Sequence, residues 1–321
     1  MSRVLLYHKV NTNSFDSQLL KVQPDNFYEQ LKWLSDNYSV ISLLDLIGLH
    51  SDGRISGDEV AITFDDGYSD NLTNMLPIIK ELNIPVTVFI TTGLINSIDG
   101  FWWDKIEQLI YDAPIRSYYL IIGKSYFSID LKSIKGKIRA IDLICAELKK
   151  YPIDVINNNI NNLIDVLNIN LRGRKTHSIM NEEQLIMLNE SELVTIGSHT
   201  QSHTRLSILS NLKQKEEIFK SRNYLENLLN INVDLISYPF GNTCDFSPTT
   251  EILTKKCGYL AGIANIQDDI TIHSRSTAIP RRLVRDWILE DFITWMNDPV
   301  ASQMEEKSLK SRNAFRKIRS S

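Results

Sequence analysis

Short runs of apolar residues alternate along the chain with longer segments in which apolar residues recur every three or four positions. The short runs are continuously apolar, as strands buried on both faces are. The longer segments have the period of amphipathic helices. The predicted strands cover 4–7, 40–42, 59–64, 85–90, 193–197, 235–238, 259–263 and 278–281, and the helices between them cover 24–37, 43–49, 71–82, 181–188, 211–229, 249–257 and 287–296.

This alternation is interrupted between about residues 100 and 180. Phe101–Asp104 begins a helix, 118–129 has the pattern of one or two strands, and two more helices are predicted at 133–150 and 154–167. About seven strand–helix units remain outside this segment, which favours a closed or nearly closed parallel barrel. The sequence therefore predicts an α/β fold, a distorted (β/α)7-type barrel with a mainly helical insertion. In domain terms, we expect a barrel domain at 1–300, interrupted at about 100–180, and a basic tail at 301–321.

Composition excludes several classes of protein. The chain has 321 residues, 43% of them hydrophobic and 23% charged, which is typical of a globular protein. A net charge of −4 without a basic stripe argues against binding to nucleic acid. The longest apolar runs are too short for a membrane span or a signal peptide, so we expect no transmembrane segment and a cytoplasmic location. The basic tail is expected to be a solvated terminus, with weak contact to an anionic membrane surface as the alternative.

Two adjacent carboxylates follow one of the predicted strands. The segment Thr63–Gly67 reads TFDDG, and Asp65 and Asp66 stand where the apolar run ends. Strand ends line the active-site face of an α/β barrel, and like charges placed there repel one another unless a cation is present. A divalent cation would bind one carboxylate and leave the other as a base. The sequence Asp-Asp-Gly is equally typical of a turn, so this segment alone does not decide between a turn and a cation site.

A second polar segment follows the predicted strand at 193–197. It reads SHTQSH, and His199 and His203 are four residues apart. On a helical turn, two such imidazoles would share a face and could reach one ion. Together with one carboxylate they form a three-ligand set for a divalent cation, with Asp65 left to deprotonate water. We expect zinc, with cobalt, nickel, manganese or iron as alternatives.

These segments resemble the polysaccharide deacetylase family, also called the NodB homology family or carbohydrate esterase family 4. In that family TFDDG supplies the base and then a metal ligand, here Asp65 and Asp66. The two histidines of the family's H-[ST]-x-x-H motif are also ligands, here His199 and His203. The chain's SYPFG resembles the third motif, R-x-P-[YF], in which the amide after proline lines the oxyanion hole. The resemblance implies that the metal site lies beside a substrate-binding set comprising Thr200, Tyr238, Phe240 and Arg281.

Two positions depart from the family pattern. Ser237 stands where the family often has the arginine that orients the base, and Arg281 or Arg282 could supply that cation instead or could make surface ion pairs. The family also often has a late histidine as general acid. The late histidine of this chain, His273, lies in a polar, loop-like stretch. His8 follows the first predicted strand and is the other candidate acid, although a structural histidine would suit that place equally well.

The resemblance implies an enzyme that removes an N-acetyl group from an amino sugar, in a glycan or a glycan precursor of the cell envelope. A cytoplasmic enzyme would meet lipid-linked or nucleotide-linked sugars rather than finished polymer. A deformylase or another C–N amide hydrolase is the alternative within hydrolases. The alternative from another class is a glycan-binding protein with a decayed site. The aromatic residues of Phe101–Trp103 are expected to be core rather than a sugar-stacking platform.

Overall fold

A curled, parallel β-sheet forms the centre of the molecule. The computed structural model describes residues 1–12, 16–98, 100–169, 171 and 177–297. The strands are β1 (Arg3–Tyr7), β2 (Lys9–Val10), β3 (Lys21–Val22), β4 (Ser39–Val40), β5 (Glu59–Phe64), β6 (Val86–Ile90), β7 (Ser117–Ile122), β8 (Ser125–Asp130), β9 (Val194–Ser198), β10 (Leu235–Ser237), β11 (Ala261–Ile263) and β12 (Arg282–Leu283).

Helices surround this sheet. They are α1 (Pro24–Asn37), α2 (Leu43–Ser51), α3 (Leu76–Leu82), α4 (Trp102–Asp112), α5 (Ile134–Leu148), α6 (Ile153–Leu167), α7 (Glu182–Asn189), α8 (Asn211–Leu229), α9 (Pro248–Lys256) and α10 (Leu289–Asn297).

The main sheet has the strand order β11-β10-β9-β6-β5-β1-β12, and all of its pairings are parallel. The short strand β4 pairs with the first two residues of β5, and β6 pairs with β5 from Ile62 onward. Ile279, just before β12, makes a parallel bridge to Ile263 in β11, so the two edges of the sheet approach each other. The predicted distorted (β/α)7-type barrel is thus confirmed. Its parallel strands bring their carboxyl ends to one face.

Helices with strong N-terminal signals lie close to their predictions. Helix α1 has the predicted bounds, with a proline in its first turn, and Asn181 caps α7 as expected. The predicted strand at 278–281 is wrong. Its ladder pairing begins only at Arg282, because Pro280 has no N–H to donate and Ile279 makes just an isolated bridge.

The insertion is mainly helical, as predicted. It comprises α4, the antiparallel hairpin β7–β8, α5 and α6, and their apolar side chains form a core separate from the barrel's. The predicted tail at 301–321 lies outside the described residues. Within the described part of the chain, no helix is both long and apolar enough to cross a bilayer.

Candidate active site

The polar residues at the strand ends meet at the carboxyl edge of the sheet. Asp65 and Asp66 follow β5, His199 follows β9, and Ser237 ends β10. Strands β5, β6, β9 and β10 are consecutive neighbours in the sheet, so residues distant in sequence come within a few ångströms. This is the face on which barrel enzymes place their reactive groups.

The backbone at this edge is unusual. Asp66, Thr200, His203 and Phe240 have φ values of 83°, 63°, 56° and 63°, in the left-handed region that non-glycine residues seldom adopt. Such conformations cost about 1–3 kcal/mol each and persist where the surrounding structure enforces them. Asp66 and His203 direct their side chains into one small volume, and Phe240 lines the pocket above it.

Asp66, His199 and His203 form a buried three-ligand cluster. One potential ligand atom from each lies within 4.8 Å of the others. Asp66 Oδ1 is 3.6 Å from His199 Nε2 and 3.3 Å from His203 Nε2. The three side chains therefore point at one centre rather than at different parts of the surface.

The donor set fits a divalent cation. Asp66 Oδ1 is buried and has no hydrogen-bond partner within the described ranges, a costly state that a bound cation would relieve. His199 Nδ1 lies 2.8 Å from the carbonyl oxygen of Ser237, a contact that places its proton on Nδ1 and leaves the Nε2 lone pair facing the centre. One carboxylate and two imidazoles with open positions are typical of catalytic zinc and related sites.

The segment that carries the two histidines is not helical. The sequence spacing suggested that a helical turn brings His199 and His203 together. Residues 199–205 form a loop instead. Glu217 of α8 holds that loop by accepting bonds from the amides of Gln201 and Ser202, at 3.0 and 2.8 Å. Gly93 lies against its other side, and any side chain there would meet the Gln201 carbonyl at 2.5 Å.

Asp65 is clamped by an arginine and a serine. The Arg281 guanidinium donates to both carboxylate oxygens, at 2.8 and 2.7 Å, in a bidentate pair. Ser237 Oγ donates to Asp65 Oδ2 at 3.1 Å and accepts from Arg281 at 2.7 Å. Arg281 and Ser237 together occupy the place expected for the family's third-motif arginine, whereas Arg282 pairs with Asp269 away from the site.

Arg281 is therefore a correction to the predicted substrate-binding set. Its side chain is fully buried, and its remaining donors bond Thr63 and the carbonyl of Ala264. No part of it faces the pocket, so it acts on Asp65 and not on a ligand. The sequence offered Arg281 and Arg282 as alternative partners for the base, and the structure selects Arg281.

Electrostatics separate the two carboxylates. Burial opposes ionisation of Asp65, but the Arg281 guanidinium holds its pKa well below the usual range. Asp66 has no such cation, and burial raises its pKa to about 6. Burial lowers the pKa of His199, and it lowers that of His203 to about 3, so both imidazoles are neutral and able to bind a metal at neutral pH.

A pocket of about 450 Å³ opens above this cluster, within the usual size of small-molecule sites. Its barrel side carries Asp65, Asp66, the two histidines and Phe240. Its other wall belongs to the insertion and comprises Trp102, Trp103, Asp142, Cys145, Ala146 and Lys149. The predicted core role of Phe101–Trp103 agrees with their burial, and the two tryptophans also reach the pocket.

Of the two candidate acids, only His8 lies at the site. His8 lines the pocket, and burial lowers its pKa to about 4 although the nearby Asp66 and Asp65 oppose that shift. His273 is exposed in a turn next to Ile270, which pairs with Ser2 before the start of β1. That is the opposite end of the sheet from Asp65, so the prediction for His273 is wrong.

Of the other three residues predicted to bind substrate, one lines the pocket and two do not. Phe240 lines the pocket, and its amide has no hydrogen-bond partner among the described residues. Thr200 is fully buried outside the pocket lining. The Tyr238 hydroxyl bonds Thr254 and the carbonyl of Thr277, within the fold. The Tyr238 hydroxyl is therefore a structural group, and neither Tyr238 nor Thr200 lines the pocket to which both were assigned.

Sequence reasoning missed a lysine at the pocket and a buried ion pair near it. Lys149 of the insertion reaches Asp245 at 3.2 Å and lies 4.2 Å from the centre of the Phe240 ring. Lys9 and Asp104 form a buried ion pair at 2.8 Å, with His177 beside it. Two sequence signals could have indicated this ion pair. They are the lysine that follows the apolar run of β1 and the aspartate at the start of α4.

Similarity to known proteins agrees with this geometry. The sequence model described as polysaccharide deacetylase matches residues 52–113 and 151–262, which are more than half of the chain. YxkH of Bacillus subtilis (strain 168), named after the same family, is 23% identical over 262 residues, which are 81% of this chain and 63% of that protein. The poly-β-1,6-N-acetyl-D-glucosamine N-deacetylase of Escherichia coli (strain K12) is 30% identical over 81 residues, 25% of this chain and 12% of that protein.

Solved structures share the fold. The deacetylase PplD of Streptococcus pyogenes, solved in complex with acetate, aligns with a TM-score of 0.61 at 17% identity and covers 92% of this chain and 98% of its own. IcaB of Ammonifex degensii aligns with a TM-score of 0.57 at 15% identity, over 94% and 97%. On the match of the family's sequence model to most of the barrel, the chain belongs to the polysaccharide deacetylase family.

Proposed function

We propose that the protein is a metal-dependent N-deacetylase that hydrolyses the acetamido group of an amino sugar to a free amine and acetate. The observation that carries this proposal is the convergence of Asp66, His199 and His203 on one centre with the clamped carboxylate of Asp65 beside it. Family membership and the glycan named for the E. coli relative support the choice of an N-acetylated sugar as substrate.

Asp66 Oδ1, His199 Nε2 and His203 Nε2 would hold the cation. When bound, a divalent ion supplies Lewis acidity, which polarises the substrate carbonyl and lowers the pKa of water. Zinc suits two imidazoles and a carboxylate, and cobalt, nickel, manganese or iron are compatible with the same donors.

Asp65 is the proposed base. Its depressed pKa keeps it ionised across the neutral range, so it can accept the proton of the attacking water as the water oxygen bonds to the carbonyl carbon. Arg281 and Ser237 fix the direction of its lone pairs through the bonds described above. The low pKa makes Asp65 a weak base, so its contribution depends on placement more than on proton affinity.

Phe240 and His8 are proposed for the oxyanion and the leaving group. The Phe240 amide can donate to the carbonyl oxygen as negative charge develops there. As this charge develops it raises the pKa of His8, so the ring can take up a proton from solvent in the pocket. His8 gives that proton to the nitrogen as the C–N bond breaks, and the sugar leaves as the free amine. The acyl group leaves as acetate, and the proton that Asp65 accepted returns to solvent.

Acetate release is the direct test. Purified, metal-loaded protein is offered N-acetylglucosamine oligomers, and separately lipid-linked and nucleotide-linked N-acetylated sugars, with N-formyl analogues in parallel. The proposal requires acetate and free amine from at least one acetylated sugar, and loss of both in Asp65→Asn. Release of formate alone would make it a deformylase. Sugar binding without release from metal-loaded protein would make it a binding protein.

The substrate and compartment remain predictions within this proposal. We favour precursor sugars over finished polymer as substrates, because the insertion closes one side of the pocket and such a pocket suits a small substrate. Activity confined to polymer would contradict this preference. A cytoplasmic location is tested by fractionation of cells that express the full-length native gene product.

A further inference from the structure

The two imidazoles of the candidate metal centre are held in different ways. His199 Nδ1 has the Ser237 carbonyl as its partner. His203 Nδ1 is buried and has no hydrogen-bond partner in the described part of the chain. Metal-binding histidines usually have such a partner, which fixes the tautomer and the ring orientation. His203 therefore needs another source of orientation.

Aromatic rings surround His203. Its ring centroid lies 5.2 Å from that of Phe101, 4.8 Å from Trp103 and 4.8 Å from Phe240, at interplanar angles of 75°, 66° and 87°. We call these three side chains the aromatic cage. All three contacts are edge-to-face, a preferred geometry for ring pairs, and such close packing opposes rotation of the imidazole. Two of the three cage residues come from the start of the insertion.

The cage itself is fixed by a buried polar network. Trp103 Nε1 donates to the Tyr68 hydroxyl at 3.2 Å, and that hydroxyl donates to Asp104 Oδ2 at 2.9 Å. The Phe101 amide donates to the same oxygen at 2.9 Å, and Lys9 neutralises Asp104 at 2.8 Å. Phe101 and Trp103 stack with centroids 4.3 Å apart and planes 10° apart. These bonds and the stacking hold Phe101 and Trp103 in place against the barrel residues Tyr68 and Lys9.

The chain makes room for this arrangement at Gly100. A side chain there would lie 2.6 Å from Asp104 Oδ2, and its φ of 68° favours glycine. Tyr68, Asp104 and Lys9 are each at most 5% exposed, so their hydrogen bonds form away from competing water. The network links the barrel, through Lys9 and Tyr68, to the first helix of the insertion.

We propose that Trp103, held by Tyr68 and the Lys9–Asp104 ion pair, is a positioning residue that orients His203 and thereby sets the metal affinity of the site. The insertion completes the metal centre without contributing a ligand. This inference rests on the proposed function, because it concerns the cation that Asp66, His199 and His203 would hold. Changing a group that orients a ligand typically weakens metal binding about 10–100-fold.

The test compares zinc affinity in variants of the full chain, measured by competition with a chromogenic chelator. Trp103→Leu should weaken binding about 10–100-fold, and Trp103→Phe, which keeps a ring against His203, should restore most of it. Tyr68→Phe, which removes one hydroxyl without opening a cavity, should weaken binding by a few-fold. In the cobalt-loaded protein, Trp103→Leu should also alter the visible spectrum, because His203 no longer keeps its place.

Leu109→Ala is the matched control. Leu109 is fully buried in the core of the insertion, and it has no ring contact with His203. It should lower thermal stability while leaving zinc affinity near that of the wild type. Equal losses in Leu109→Ala and Trp103→Leu would overturn the inference, and so would wild-type affinity in Trp103→Leu.

Failure of the proposed function gives a different result. If the proposed metal site is wrong, the wild-type protein itself binds no stoichiometric zinc, whereas failure of deacetylation alone leaves zinc affinity and its dependence on Trp103 unchanged. If Trp103→Leu does not fold, as judged by circular dichroism, the Trp103→Phe and Tyr68→Phe pair decides. Wild-type affinity and cobalt spectrum in Tyr68→Phe would then overturn the inference.

Discussion

The barrel wall and the insertion wall of the pocket are built from different chemistry. The barrel wall is polar, and its functional groups are held by hydrogen bonds and ion pairs, as Arg281 and Ser237 hold Asp65 and the Ser237 carbonyl holds His199. The insertion wall is largely aromatic where it meets the metal centre, and Trp103 contacts His203 through ring edges. Reactive groups thus come from strand ends, whereas the shape of the pocket and the orientation of one ligand come from the insertion.

The sharpest test of the barrel wall compares its two adjacent carboxylates. Asp66→Asn removes a charged ligand, and we expect the protein to lose stoichiometric zinc together with its activity. Asp65→Asn keeps the three proposed ligands, so we expect retained zinc and a fall in kcat of about 10²–10⁴-fold, the usual effect of losing a general base. Metal analysis and acetate release on the same preparations measure both. Loss of zinc in Asp65→Asn instead would assign the two residues the other way round.

Removing the arginine clamp should have the next largest effect. Arg281→Met leaves Asp65 buried without its guanidinium, a change that typically destabilises a protein by about 3–5 kcal/mol. We expect lower thermal stability and a kcat reduced by about 100-fold in the folded fraction. Arg281→Lys cannot reproduce a bidentate pair, so it should rescue activity only in part. Full activity in Arg281→Met would show that Asp65 needs no clamp.

The pH dependence of metal binding probes Asp66. Its pKa is raised to about 6 by burial, so the carboxylate is free to bind metal above pH 6 and carries a proton below it. Zinc affinity should be flat above pH 6 and fall by up to about tenfold per pH unit below it, as metal displaces one proton. Titrations between pH 5 and 8, with circular dichroism to confirm folding, measure this. Constant affinity down to pH 5 would contradict it.

The smallest predicted effect concerns the insertion wall. Lys149→Met removes the ammonium that lies over Phe240 and pairs with Asp245 while keeping most of the apolar stem. We expect a KM raised by a few-fold, with unchanged zinc content and little change in kcat. A large loss of kcat would mean that the insertion takes part in the chemistry, and the contrast between the two walls would fail.

Sequence pattern predicted the groups that belong to the barrel. Continuous apolar runs identified β1, β5 and β6, and polar residues at such strand ends identified Asp65, Asp66 and His199 as candidates. It could not decide between alternatives that depend on closure of the sheet. The pairing of Arg281 with Asp65 joins residues 216 positions apart, so the sequence could offer Arg281 only as one of two candidate cations, beside Arg282. The place of His273 at the opposite end of the sheet follows from the bridge between Ile270 and Ser2, which are also remote in sequence.

The sequence predicted which residues of the loop at 199–205 are candidate ligands, but it did not predict the conformation of the loop. Its histidines converge on Asp66 through left-handed residues that Glu217 and the segment at Gly93 hold, rather than through a helical turn. Of the aromatic cage, Phe101 and Trp103 were predicted to be core, whereas Phe240 was assigned to the substrate-binding set. The second role of the cage depends on where the insertion docks, which apolar pattern does not encode.

Anomalous diffraction from crystals of the zinc-loaded protein tests the central claim most directly. The account predicts one strong peak at about 2.0–2.2 Å from Asp66 Oδ1, His199 Nε2 and His203 Nε2, with the Asp65 carboxylate next to it and still bonded to Arg281. A fully active protein whose zinc lies elsewhere, or that contains no metal, would contradict it.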